Sequence, residues 1–345
     1  MNNSTDHVCG VHLVGSVPYD NSTEVFQNVV QHLGRHVKRI PDGETGIRTN
    51  WIDWQLKRLK ENPNLQLIEN ESFEYTQVHQ LGLSPAGDSK NLQLGELAYA
   101  EVALQSYEIF SRLKLDGELA ADHKFLVCLP TPLAVSHIYV EPSLQEDFEP
   151  QYEEQLLKDL ETIIASIPHE ELAIQWDTAV EFAVLEGVMP SYIDDLQKGI
   201  VERLLRLAHR VPASIEMGFH LCYGDSQHKH FCEPKDTGLL VSVSNDIVAG
   251  LSRSLNWIHM PVPRDRSDED YFKPLANLKL KADTELYLGL VHYTDGEEGA
   301  RKRIESALKY SPRFGVATEC GFGRRPRETL AELMDIHSAV SAQSM

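Results

Sequence analysis

Ser214-Ile215-Glu216-Met217-Gly218-Phe219-His220-Leu221-Cys222-Tyr223-Gly224-Asp225 begins as an apolar, β-rich run and ends in side chains that bind metals and protons. A strand is predicted over 214–219, with the chemistry just past its end. Successive side chains of an extended chain point to opposite faces, so His220 and Cys222, two apart, share one. The same transition recurs along the chain. β-rich runs at 8–14, 37–40, 125–129, 172–176, 257–262, 286–292 and 314–318 contain or run out into Gly15-Ser16, Asp42-Gly43-Glu44, Pro130-Thr131-Pro132, Asp177, His259, His292 and Cys320.

Helical patterns separate these runs, at 23–34, 50–61, 92–115, 149–166, 193–209, 239–254, 268–278 and 297–309, and a last helix is expected over 326–339. Within 193–209, Leu196, Ile200, Leu204 and Leu207 recur every three or four residues, the spacing of one helical face. Pro326 suits a first helical turn, where its missing N–H leaves no partner wanting. Eight strands alternating with helices predict an α/β protein, a (β/α)8 TIM barrel, with a doubly wound open sheet as the competing arrangement. One domain spans 1–345. The mixed stretch 62–90 is an insertion or excursion from it. In a barrel the strands' C-terminal ends hold the chemistry, which is where these polar residues fall.

The composition narrows the function. The 345 residues include 32 Lys+Arg and 52 Asp+Glu, a formal charge of −20, and the pI is about 5.1. That balance argues against a nucleic-acid-binding role, which needs a basic face for phosphates, and disfavours docking on anionic lipid. No apolar run approaches the roughly 20 residues that span a bilayer. The polar start, Met1 to Gly10, has no signal-peptide pattern, so a cytoplasmic location is expected. Cys9, Cys128, Cys222, Cys232 and Cys320 are odd in number and widely spaced. In a reducing compartment they read as core residues, metal ligands or nucleophiles, not as a disulfide framework.

His220 and Cys222 at one strand end, with Cys320 at another, offer three N/S ligands and an open fourth position, the way catalytic zinc is held. Gln227-His228-Lys229-His230-Phe231-Cys232 is a second cluster, read as a solvated loop, a lid or a spare metal site. Glu44 and Asp177 are candidates for ligand binding, or for pairing with Arg39 or Arg48. The acidic run 146–154 is expected to be a solvated helix face.

The order of these motifs resembles the catalytic barrel of cobalamin-independent methionine synthase, of the superfamily that also holds uroporphyrinogen decarboxylase. His-Leu-Cys-Tyr at 220–223 resembles the family's His-x-Cys zinc motif, and Glu-Cys-Gly-Phe-Gly at 319–323 its late Asp-Cys-Gly. Val-Gly-Ser-Val-Pro at 14–18, Asp-Gly-Glu at 42–44 and Gln-Trp-Asp at 175–177 are similar to three further elements. The resemblance implies Zn2+ on His220, Cys222 and Cys320. It implies that Gly15 and Ser16 hold the carboxylate of an amino-acid substrate, and Glu44 and Asp177 its ammonium. The family's fourth ligand, a glutamate, is missing from the Trp-Ile-His-Met-Pro-Val-Pro run at 257–263, where His259 is the possible substitute. His292 is the residue nearest the family's proton donor. The implied reaction is methyl or alkyl transfer to a thiol such as homocysteine, from a folate-type or other methyl donor, with small molecules as partners. A metal-free lyase or decarboxylase and a non-catalytic amino-acid-binding barrel remain open beside it. The oligomeric state is not legible.

Overall fold

The computed structural model describes residues 7–68, 79–226 and 229–344. The chain opens with β1 (Val8–Val11), α1 (Ser22–Leu33), β2 (Arg39–Pro41) and α2 (Asp53–Leu59), followed by β3 (Leu65–Ile68) and β4 (Gln80–Leu83). Next come α3 (Tyr99–Leu115), β5 (Lys124–Pro130), α4 (Pro132–Tyr139), α5 (Pro142–Ser166), β6 (Leu172–Thr178), α6 (Val180–Leu185) and α7 (Leu196–Ala208). The last part holds β7 (Glu216–Leu221), α8 (Gly238–Gly250), β8 (Trp257–Pro261), α9 (Glu269–Phe272), β9 (Glu285–Gly289), α10 (Gly296–Leu308), β10 (Phe314–Val316) and α11 (Leu330–Val340).

Eight of these strands form one parallel sheet in the order β1-β10-β9-β8-β7-β6-β5-β2. The two ends of that order meet. Val11 bridges Val37, Ser16 bridges Gly43, and Val17 N–H donates to Gly43 O at 2.9 Å. This is the (β/α)8 barrel that the alternation predicts. Strands covered on both faces should be apolar throughout, and β6 is buried at every position. The barrel interior is a small cluster of Leu126, Ala173, Trp257 and Tyr287. Around it the outward strand residues pack on the helices, as the recurring Val25, Phe26, Val29 and Leu33 of α1 do.

At the N-terminal end the barrel is plugged by charge. Buried Arg39 donates from Nε to Glu216 at 2.6 Å and from Nη1 to Glu285 at 2.7 Å. Its guanidinium lies 4.3 Å from the centre of the Trp257 ring. Two carboxylates and an aromatic face therefore replace the water that Arg39 loses on burial.

The excursion contains an antiparallel pair, β3 with β4, joined to the barrel through the Leu81–Val140 bridge; residues 69–78 lie outside the described set. Several expectations need correcting. The 50–61 pattern is α-helical only at Asp53–Leu59, because Trp51 takes a left-handed φ of 53° just before it. The long helix expected from 149 begins at Pro142, and a separate α4 precedes it. The run 146–154 is not simply a solvated face. Glu149 and Glu153 are buried, pairing with Arg203 at 2.7 Å and Arg206 at 2.6 Å. These partners come from α7, about 50 positions away, so local polarity could not reveal them. Pro326 is extended, with ψ 134°, and precedes a 3-10 turn before α11. No helix among the described residues is long and apolar enough to cross a membrane.

Candidate metal centre and its cavity

β7 ends at Leu221, yet Cys222 N–H still donates to Thr178 O at 2.8 Å. The ladder thus continues one residue beyond the strand, and His220 and Cys222 keep their common face. Cys320 arrives from the turn after β10. The ligand atoms of His220, Cys222 and Cys320 all lie within 4.8 Å of one another, and the two Sγ atoms are 3.8 Å apart. Among the described residues this is the group of His, Cys, Asp and Glu gathered closely enough to hold a metal ion. Contact with the Cys320 thiol, together with burial, pushes the Cys222 thiol well above its usual range. Against that, Gly224 N–H donates to Cys222 Sγ at 3.2 Å, a bond that favours the thiolate.

His259 sits beside His220 in register across β7 and β8. Its Nε2 is 3.0 Å from Thr318 O, and its Nδ1 is 2.7 Å from His220 Nδ1. A carbonyl only accepts, so His259 carries its proton on Nε2 and its bare Nδ1 accepts from His220 Nδ1–H. His220 is left with a lone pair on Nε2. Burial keeps both rings neutral, His259 titrating at about 4. Expected as a possible fourth ligand, His259 has both ring nitrogens engaged in this arrangement.

Above this group lies a cavity of about 920 Å3, whose wall includes Ser16, Glu44, Asp177, His220, Cys222 and Cys320. Ser16 Oγ donates to Glu44 Oε2. Gly15, at φ 151°, carries the chain past Cys128, whose Sγ a Cβ at that position would meet at 3.4 Å. Glu44 takes a left-handed φ of 49° after Gly43. Its backbone N–H donates to Asp42 Oδ1 at 2.9 Å, which fixes the turn. Burial raises the Glu44 carboxyl to about 6, despite the hydrogen bond from Ser16. Asp177 is pushed well up by burial and by the nearby Glu44 charge, against hydrogen bonds from Gln175 and Trp51. Neither carboxylate spends itself on the arginines considered from sequence. Arg48 pairs with Asp42 at 2.6 Å, and Arg39 plugs the far end of the barrel.

Gln175 ties the floor together. Its Nε2 donates to Asp177 Oδ1 at 2.8 Å and to Val14 O at 2.6 Å. Its Oε1 is 2.6 Å from His12 Nε2. One amide thereby orients a carboxylate and the strand end that leads into Gly15 and Ser16.

His292 does not line the cavity. Its Nε2 is 2.8 Å from Val262 O, and its Nδ1 is 3.7 Å from Glu319 Oε1. Burial lowers its pKa. Of the second cluster, Gln227 and His228 lie outside the described residues. His230 is held between Glu233 at 3.2 Å and Glu319 at 3.1 Å, and these carboxylates overcome burial to raise it to about 10. Burial raises the Cys232 thiol to about 11. Neither belongs to the metal-capable group.

The sequence reading missed much of the cavity wall: Trp51 before α2 and Asp53 at its first position, His137 and Tyr139 on α4, and Met189. A signal for α4 was present. Thr131 caps it through Ala134 N–H, and Pro132 occupies its first turn. Asp225 pairs with Arg324 Nη2 at 2.6 Å across the cavity.

No protein-family model matches this sequence, and neither does any curated protein. Solved structures do match in fold. A B12-independent methionine synthase from Shewanella sp. W3-18-1, in complex with selenomethionine, superposes with a TM-score of 0.61 at 11% identity, covering 97% of this chain and 96% of that one. A methyltransferase from Methanosarcina mazei gives 0.51 at 12% identity, covering 96% and 93%. The chain therefore shares the barrel architecture of methionine-synthase-like and methyltransferase structures.

Proposed function

We propose that this protein is a zinc-dependent transferase that moves a methyl or other alkyl group to a thiol, with homocysteine as the acceptor. The observation that carries this reading is the His220–Cys222–Cys320 group opening onto a cavity that also presents Ser16, Glu44 and Asp177. The donor set fits the ion. Two sulfurs each about 2.3 Å from a tetrahedral zinc stand about 3.8 Å apart, and 3.8 Å is the separation of the two Sγ atoms. Zinc so held lowers the pKa of a bound thiol and supplies a thiolate nucleophile near neutral pH.

The chain's own residues do the rest. His259 and Thr318 orient His220 so that its Nε2 lone pair is available. Glu44 and Asp177 repel one another in a buried wall, and an ammonium between them relieves both. Gly15 and Ser16 receive the carboxylate of the same amino acid. The fold likeness to a methionine synthase in complex with selenomethionine supports this choice, since selenomethionine is the selenium analogue of the thioether amino acid that methylation of homocysteine produces.

Metal analysis of protein purified without chelator, with and without homocysteine, tests the reading beside a Cys222→Ser variant. The expected result is about one zinc per chain, lost in the variant. A wild-type protein that takes up no metal when zinc is supplied overturns it.

A further inference from the structure

The cavity is larger than an amino-acid acceptor needs, and its remaining wall differs from the acceptor end. Tyr139 and Phe231 contribute aromatic surface there, with Met189 and Pro142, and Trp51, whose side chain hydrogen-bonds Asp177, adds a third ring from the acceptor end. Asp53 stands exposed at the mouth, accepting a hydrogen bond from Tyr139 OH at 2.6 Å. Among the described lining residues the ionisable groups are mostly acids: Glu44, Asp53, Asp177 and Asp225 face one guanidinium, Arg324, which is already paired with Asp225. No lysine is among the described lining residues, and His137 is held neutral by burial at about 4. A zwitterionic acceptor with its thiol ionised adds one more negative charge. Coulomb's law disfavours an anionic second substrate in such a space and favours a cation.

The chemistry of departure points the same way. A neutral tertiary amine is a poor leaving group unless it is protonated. His292, nominated as the acid from sequence, faces Val262 O outside the cavity wall.

We infer that the alkyl donor is an onium cation, a sulfonium or quaternary ammonium compound, whose charged centre is received by Trp51, Tyr139 and Phe231 with Asp53 as counter-charge. This rests on the thiol-transfer reading above. An onium centre over aromatic faces is stabilised by the rings' quadrupoles. In the transfer, a lone pair of the acceptor thiolate forms the new S–C bond. The donor's C–S or C–N bond breaks, and its electron pair stays on the departing heteroatom. One negative and one positive charge cancel, the leaving molecule is a neutral thioether or amine, and no proton moves.

The test uses the zinc-supplied protein and has two arms. Calorimetry compares choline with 3,3-dimethylbutan-1-ol, its neutral isostere, and methyl transfer to homocysteine compares S-methylmethionine with a triglutamylated N-methyl pteridine. Choline is expected to bind about tenfold more tightly than the alcohol. Asp53→Lys and, independently of any folding defect in that variant, Phe231→Leu are each expected to erode the preference, and S-methylmethionine is expected to be the donor used. Equal binding of the two isosteres, or faster transfer from the pteridine, with zinc and transfer intact, overturns the cationic donor alone. Charge-selective binding in a protein that holds no zinc and transfers nothing overturns the thiol-transfer reading, and the donor role with it.

Discussion

His220 and His259 meet Nδ1 to Nδ1 at 2.7 Å, and only one of those nitrogens bears a proton. Thr318 O decides which, by claiming the proton on His259 Nε2. His259 is thus placed to orient His220. His259→Leu is expected to weaken metal binding about 10- to 100-fold, whereas Cys320→Ser should remove it. A competition titration with a chromophoric chelator reads both. Equal loss in the two variants would make His259 a ligand in its own right.

Glu44 is expected to give the proposed acceptor site its pH dependence. Its carboxyl is raised to about 6 by burial, so it takes up a proton well before an exposed glutamate would. Acceptor binding through the ammonium needs the ionised form. KM for homocysteine is therefore expected to rise as the pH falls through about 6, with metal content unchanged. Glu44→Gln should raise KM roughly 10- to 100-fold, the worth of a hydrogen bond to a charged group, and flatten that limb of the profile. A variant that kept the limb would assign it to another group.

Gly218 opens the segment that places His220. A Cβ there would lie 2.2 Å from the Trp257 ring, itself fully buried. Gly218→Ala is expected to cost about 1–3 kcal/mol by overpacking. The displaced strand should also bind metal less tightly. Thermal melting with and without zinc measures both effects.

Glu285 supplies stability far from the site. Burial alone would raise its pKa from 4.5, but Arg39 and Lys38 hold it down at about 2. A depressed carboxyl stabilises the fold fully above the unfolded value. That contribution is lost as the pH falls from about 4.5 towards 2. Glu285→Gln leaves Arg39 paired with Glu216 and should cost about 1.5–3 kcal/mol at neutral pH. Urea unfolding at pH 7 and pH 3 should show the gap between wild type and variant closing at the lower pH.

The barrel was legible because eight short apolar runs alternate with helical patterns, a signal spread over the whole chain. His220, Cys222 and Cys320 were legible for a related reason: strand ends are where a barrel gathers side chains from distant parts of the sequence. His292 shows the limit of that rule. Two-residue parity holds only while a strand lasts, and β9 stops at Gly289. Three residues later the ring has turned to Val262 O. Glu149 and Glu153 show another limit, since burial of a carboxylate depends on an arginine that no local pattern announces. Asp53 and Tyr139 escaped notice because they enter the wall from helices, where no alternation marks the inward residue.

The last strand, β10, lies between β1 and β9, and Cys320 follows it, 98 residues after Cys222. A chain still being synthesised has the histidine and the first cysteine long before the second. Until the C-terminal quarter docks and seals the ring, the two halves of the metal group belong to separate pieces of an unfinished protein. For the proposed zinc site, loading would thereby be tied to completion: truncated or stalled chains would hold an incomplete ligand set, and possession of the ion would certify that the barrel has closed.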